Sequence, residues 1–239
     1  MCRGWNFAVL LLAAIATACS SEPRVAPSPG GKLLDDAIAA AGGNDALTKA
    51  RHLRWTGEAD VHAGGRDIAL AVRSDIEPLG KVRSETWLRE TGPSTLRVLE
   101  MDGRNGWTTR DGKREPMPEA MARNEYAQFG TYALMRLVTL REPKAEIHLL
   151  PERVEGMRGL QARYPGLPEA TLWFDDASRL AALTNTVASA DGNGVIQQRF
   201  EFSGTIESNG VRWPKQIRIL QDGKPFFELR LQTFEALSK

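Results

Sequence analysis

Residues 52–62 read HLRWTGEADVH, and every second position is apolar or small: Leu53, Trp55, Gly57, Ala59 and Val61 alternate with His52, Arg54, Thr56, Glu58, Asp60 and His62. A period of two puts the first set on one face of a β-strand and the second on the other, so this strand has one dry and one wet face. That pattern belongs to an antiparallel sheet with a single covered side. Ala63-Gly64-Gly65-Arg66 then turns the chain into a second alternating run with Ile68, Leu70 and Val72 on one side, which predicts a hairpin.

Working outward, strand-like runs at 81–90, 95–101 and 106–110 are separated by Pro78-Leu79-Gly80, Gly92-Pro93 and Asp102-Gly103. Short loops make sequential strands neighbours in one sheet. After Met117-Pro118 the period changes. Met121, Tyr126, Phe129, Tyr132, Met135 and Val138 recur at intervals of three to five, predicting one long helix or a broken pair up to Leu140. Strands are expected again at 146–150, 159–164, 170–175, 179–188, 196–204, 213–221 and 225–234. Upstream, Leu33, Leu34, Ala37, Ile38 and Ala41 at helical spacing, closed by Gly42-Gly43, predict a short amphipathic helix. The expectation is a mostly β (α+β) chain with about ten strands and two or three helices. A sheet of that width rarely stays open and flat.

The N-terminus carries a different kind of signal. Arg3 precedes an apolar run from Phe7 to Ile15, too short to span a bilayer core that needs about twenty residues, so residues 1–18 are expected to be a signal peptide. Ala16-Thr17-Ala18-Cys19 resembles the lipobox of bacterial lipoproteins, in which the cysteine is diacylated and becomes the mature N-terminus; Ala-Thr-Ala also reads as an ordinary secretory site. Cysteine usage favours the first reading. Cys2 falls in the leader and no other cysteine follows Cys19, which therefore has no disulfide partner. Ser20 in the next position resembles lipoproteins sent to the outer membrane, facing the periplasm. Residues 19–31, rich in Pro, Gly and Ser, are expected to form a tether reaching about 20 Å, with a single domain at 32–239.

Loss of Arg3 brings the 31 basic residues level with the 30 acidic ones. An electroneutral domain gains little from counterion release, and no basic block interleaved with aromatics appears, so nucleic acid is excluded as a partner.

Several segments together resemble the LolA/LolB-like superfamily of bacterial proteins. These are AIAAAGGNDALTKARHLRWTGEA at the start, the strand, turn and strand of TLWFDDASRLAALTNTV, and the closing hairpins of SGTIESNGVRWPKQIRILQDGKPFFELRLQTFE. The resemblance runs over most of residues 33–235 and contains no catalytic signature. It implies an unclosed, strongly bent half-barrel under helices, with a hydrophobic ligand such as an acyl chain in the concave face. The expected lining is Trp55, Leu70, Val98, Trp107, Phe129, Leu172, Phe200, Phe202, Ile217, Phe227 and Leu229, each of which is otherwise ordinary core. Trp87 alternates with Arg83, Glu85 and Arg89, which points to the outer face instead. The outer-membrane acceptor of that superfamily has a protruding loop with an exposed Leu, and Leu79 at a hairpin tip is the counterpart by position, although the loop motif does not match.

An enzyme would need converging polar groups. His52, Asp60 and His62 share a strand face, but the two histidines lie roughly 33 Å apart along it, too far to share a zinc ion. Asp175-Asp176 is turn chemistry, and His148 has no partner in the sequence. No G-x-S-x-G, H-E-x-x-H or phosphate-loop motif occurs. A non-catalytic protein without cofactor or metal is therefore expected. Its partners would be the membrane through acylated Cys19, a hydrophobic ligand, and an envelope protein. Two functions remain: a lipid or lipoprotein binder, which needs a concave cavity of several hundred Å³ beneath residues 118–140, or a structural envelope lipoprotein with a self-filled core.

Overall fold

The computed structural model describes residues 28–238; the signal peptide, Cys19 and most of the expected tether lie outside the described residues. The chain opens with helix α1 (Pro29–Ala40) and the short α2 (Asn44–Lys49). Helix α1 starts three residues earlier than expected, because the Ser28 side chain accepts a hydrogen bond from the Gly31 amide (3.1 Å) and Pro29 occupies the first turn, where its missing N–H costs nothing. Leu33, Leu34, Ala37 and Ile38 form its buried face.

Six strands follow: β1 (His52–Ala63), β2 (Arg66–Ile76), β3 (Lys81–Leu88), β4 (Arg97–Asp102), β5 (Asn105–Arg110) and β6 (Lys113–Pro116). Helix α3 (Glu119–Met135) is separated by Arg136 and Leu137, the latter left-handed at φ 59°, from a 3-10 turn (Val138–Arg141), so the long periodic segment is a broken pair. The remaining strands are β7 (Glu146–Val154), β8 (Met157–Arg163), β9 (Ala170–Phe174), β10 (Leu180–Ala188), β11 (Val195–Ser203), β12 (Ile206–Ser208), β13 (Val211–Trp213), β14 (Gln216–Gln221) and β15 (Lys224–Leu237).

Thirteen of these form one antiparallel sheet in the order β6-β5-β4-β3-β2-β1-β15-β14-β11-β10-β9-β8-β7. The chain therefore enters the sheet in its middle, meanders to one edge, crosses by α3 to the opposite edge, and meanders back until β15 pairs with β1. The edges β6 and β7 do not pair, so the curved sheet is unclosed. The width exceeds the expected ten strands for local reasons. Every residue of β6 is exposed and gives no alternation to read; outside that sheet, Pro214 separates β13, which pairs only with β12, from β14.

Register assigns the faces. Trp55 lies opposite Phe234 and Ser74, Ala59 opposite Leu229 and Leu70, and Val61 opposite Phe227 and Ile68. This is the concave face, over which α1 and α3 pack. Helix α3 is pinned by Asn124, which donates to the Ala188 carbonyl (2.7 Å), and the residue after it, Arg136, donates to the Leu47 carbonyl (2.9 Å). The convex face carries charge in ladders. Arg54 pairs with Asp75 (2.9 Å) and Glu235 (3.3 Å), Arg83 and Arg114 with Glu100 (2.8 and 2.9 Å), and Arg89 with Glu58 and Asp60 (2.8 and 3.0 Å). Exposed pairs like these contribute little singly. Their consequence is a hydrated outer surface that leaves the concave side as the apolar one.

Candidate ligand site on the concave face

An aromatic cluster divides the concavity. Tyr132 of α3 meets Trp55 edge-on (centroids 5.0 Å apart) and lies 6.4 Å from Trp213, which stacks on Phe234 at 5.5 Å; Phe129 stands 6.2 Å from Tyr132. Such contacts fill space and add to the burial of the rings themselves. On either side of this cluster a cavity remains.

The first, about 260 Å³, lies between α1, the end of α3 and β10, lined by Ala37, Met135, Leu137, Leu180, Phe202 and Trp213. The second, about 380 Å³, opens at the far end of β1–β3. Val61, Ile68, Leu70 and Leu88 form its floor and Arg97 and Arg110 its rim. These residues come together because antiparallel register carries one face across five strands: Val61 opposes Ile68, Leu70 opposes Leu88, Thr86 opposes Arg97, and Arg97 opposes Arg110. Thr95, in the 3-10 turn at Gly92–Thr95 that borders the cavity, accepts a hydrogen bond from the Leu88 amide through Oγ1 (2.9 Å), which fixes the turn to the strand end.

Polar groups also face the concave side. Glu125 sits on α3 one turn from both Met121 and Phe129, and among the described residues no ion pair or hydrogen bond holds its carboxyl. It is surrounded by protein yet keeps some solvent contact, and desolvation pushes its pKa up to about 7. The Tyr132 phenol is pushed up as well, by burial and then by the nearby Glu125 charge. Gln198 opposes Asn185 across β10–β11; Gln198 is 2 % exposed, and both of its amide atoms lack partners, as does the Asn185 oxygen. Buried polar atoms are normally satisfied, so these unpaired groups stand out, although neither Gln198 nor Asn185 lines either cavity.

The expected lining residues separate into three groups. Trp55, Leu172, Phe200, Ile217 and Leu229 are on the concave face but at most 2 % exposed, so they are packed core. Leu70, Phe129, Phe202 and Phe227 are partly buried against the core; Leu70 lines the second cavity and Phe202 the first, while Phe129 and Phe227 line neither. Val98 and Trp107 are corrected. Leu99 and Met101 face inward with Val82 and Ser84, so Val98 turns outward opposite Glu85, and Trp107 opposes Glu100 beneath the Arg114 guanidinium, 4.3 Å from the ring centre. Trp87 pairs with Ala71 on that same outer-facing row. Leu79, with φ 66°, folds back against the core instead of protruding.

The polar candidates are dispersed. His52 contacts Asp75 (3.0 Å), His62 contacts Asp67 (2.7 Å), and Asp60 is held by Arg89 and Arg230. Asp175 accepts from the Arg179 amide and side chain within its turn (both 2.8 Å), and Asp176 pairs with Arg153 at 2.7 Å. Among the described residues no group of His, Cys, Asp or Glu is placed to hold a metal ion. The residues missed at the sequence level are Arg97, Arg110 and Glu125. The hairpin turn at Asp102-Gly103-Arg104-Asn105 sets the β4–β5 register and would have placed the two arginines opposite one another. Glu125 gave no signal in a helix whose apolar periodicity is weak.

No protein-family model matches the sequence, and comparison with curated proteins finds no match. Solved structures do match in shape. A putative outer membrane lipoprotein-sorting protein domain from Vibrio parahaemolyticus superposes with a TM-score of 0.53 at 12% identity, over 86% of this chain and 92% of that one. A DUF1329 family protein from Desulfovibrio piger superposes with a TM-score of 0.56 at 11% identity, over 87% and 93%. A LolA superfamily protein from Nitrosomonas europaea aligns at 11% identity over 81% of this chain and 92% of that one, with a TM-score of 0.49. At these identities the likeness is one of fold: the unclosed curved sheet and its crossing helix are shared with the lipoprotein-sorting protein domain and the DUF1329 family protein.

Proposed function

We propose that this protein is a bacterial envelope lipoprotein, anchored through acylated Cys19 at the periplasmic face of the outer membrane, that binds an acyl chain or similar hydrophobic ligand on the concave face of its sheet. The observation that carries this reading is the 380 Å³ cavity with its floor of Val61, Ile68, Leu70 and Leu88, a size within the range of small-molecule sites. Leu70, with Val61, Ile68 and Leu88 beside it, is the side chain on which the ligand's chain would lie in this cavity. The fold shared with the lipoprotein-sorting protein domain and the lipobox-like Ala16-Thr17-Ala18-Cys19 support a place in lipid or lipoprotein trafficking. Permanent anchoring suits a fixed acceptor or local binder better than a carrier that crosses the periplasm. Leu79 has no part in this reading, since it packs inward.

The test is native mass spectrometry of the gently purified full chain. Co-purifying fatty acid or phospholipid supports the proposal, and its loss on widening contacts with Leu70→Arg locates it. An intact fold that never carries or takes up lipid refutes it. The aromatic cluster of Trp55, Tyr132, Trp213 and Phe234 favours a second reading, a structural lipoprotein whose core fills its own concavity. A ligand-free protein that captures an envelope protein in place of lipid would establish that one.

A further inference from the structure

Arg97 and Arg110 stand directly opposite each other on β4 and β5. Like charges in that position destabilise a sheet. On the convex face the problem does not arise, since Arg54, Arg73, Arg83, Arg89, Arg114 and Arg230 are each paired with a carboxylate. Lys113, next in the same concave row, pairs with Glu115. Arg97 and Arg110 alone in this row have neither an ion pair nor a side-chain hydrogen bond among the described residues. Asp111, in the turn after β5, borders the same cavity and pairs with neither. Two unneutralised guanidiniums therefore border an apolar pocket, and local rules of this kind are broken chiefly where a site requires it.

We propose that Arg97 and Arg110 are the headgroup site for an anionic, single-chain amphiphile, a carboxylate or phosphate on one acyl chain, with the chain lying on Val61, Ile68, Leu70 and Leu88. The inference rests on the acyl-chain reading above and adds the ligand's charge and polarity. Guanidinium forks match both anions bidentately. The volume of about 380 Å³ lies near the lower end of ligand sites, which fits one chain better than several.

The experiment uses the full chain carrying Cys19→Ser, which removes acylation and the need for detergent, titrated with palmitate, hexadecyl phosphate and hexadecanol by calorimetry and tryptophan fluorescence. The two anions are expected to bind about tenfold or more tightly than hexadecanol, roughly one charge-assisted hydrogen-bonded pair, with the preference shrinking in high salt. In the Arg97→Gln, Arg110→Gln double variant the preference should vanish while hexadecanol binding is unchanged. Equal affinity for palmitate and hexadecanol in the parent chain overturns the headgroup site alone, as does a preference that survives in the double variant. Failure of all three ligands to bind overturns the acyl-chain reading as well. Inorganic phosphate or acetate binding as tightly as the amphiphiles would reassign the site to a free anion. Should the double variant fail to fold, the palmitate-to-hexadecanol ratio of the parent and its salt dependence decide the matter.

Discussion

Glu125 offers a perturbation whose sign and size follow from its surroundings. Its pKa is raised from the ordinary 4.5 to about 7 by desolvation on the inner side of α3, so the folded state holds a proton that the unfolded chain releases. Below about pH 4.5 both states are protonated and the residue is neutral in the balance. Between that point and pH 7 the unfolded chain ionises first, and stability falls with rising pH. The full span corresponds to about 3 kcal/mol; because Glu125 keeps some contact with solvent, about 1–2 kcal/mol is the expected loss. Glu125→Gln keeps the shape and removes the ionisation. Urea unfolding of both proteins at pH 5, 7 and 8.5 should give similar stabilities at pH 5 and a variant more stable by about 1–2 kcal/mol at pH 8.5. All other carboxylates are shared, so the difference isolates this one. Parallel pH profiles, or a variant less stable at pH 8.5, would refute the placement of the carboxyl in the concavity.

Three further outcomes are expected. Glu85 is a nearly buried convex-face carboxylate; burial alone would raise its pKa, but hydrogen bonds from Arg73 and Arg83 outweigh this and hold it below the ordinary range. Glu85→Ala should cost about 1–2 kcal/mol near neutrality. The stability Glu85 contributes is present above the ordinary carboxylate range and lost as pH falls through the lowered value, so the deficit should close in acid, as a denaturation series would show. Gly42 has φ +119°, and an added Cβ would lie 1.9 Å from the Gly210 carbonyl oxygen, whereas Gly43, at φ +93°, has nothing within 4 Å. Gly42→Ala should therefore lower Tm by roughly 6–12 °C and Gly43→Ala by only a few degrees; equal shifts in a thermal melt would show that strain alone, and not the contact with the β12–β13 turn, sets the cost. Arg110→Gln relieves the repulsion across β4–β5 and should stabilise the ligand-free protein by a few tenths of a kcal/mol, the reverse of a loss if the arginine were structural.

Much of the meander was legible because antiparallel strands with one covered face write their burial into a period of two. His52–Ala63 and Arg66–Ile76 are found where alternation and the Gly64-Gly65 turn place them. The elements that escaped notice lack that signature. Strand β6 has no buried side chain, α2 is a six-residue helix, and β12–β13 is a three-residue ladder whose apolar residues, Val211 and Trp213, merge in sequence with those of the next strand. Val98 and Trp107 face outward although each is apolar, so hydrophobicity alone does not give the facing in these two strands. The inward row in fact runs through Leu99, Met101, Gly106 and Thr108, and a tryptophan on a wet face is stabilised by an arginine laid over it.

The sequence by itself determined the class of fold, the sidedness of its strands, the absence of a catalytic motif and the lipobox-like Cys19, because each is written in local spacing. Only the tertiary structure decided how the strands join, with β15 closing on β1 and α3 carrying the chain between unpaired edges. It also decided which concave side chains are core and which border empty space. Both outcomes depend on residues distant in sequence: Trp55 is sealed by Tyr132, Trp213 and Phe234, while Leu70 and Leu88 remain beside a cavity because no side chain of α3 reaches that end of the sheet to fill it. Periodicity fixes which way a side chain points; the volume in front of it is set by what the rest of the chain brings there.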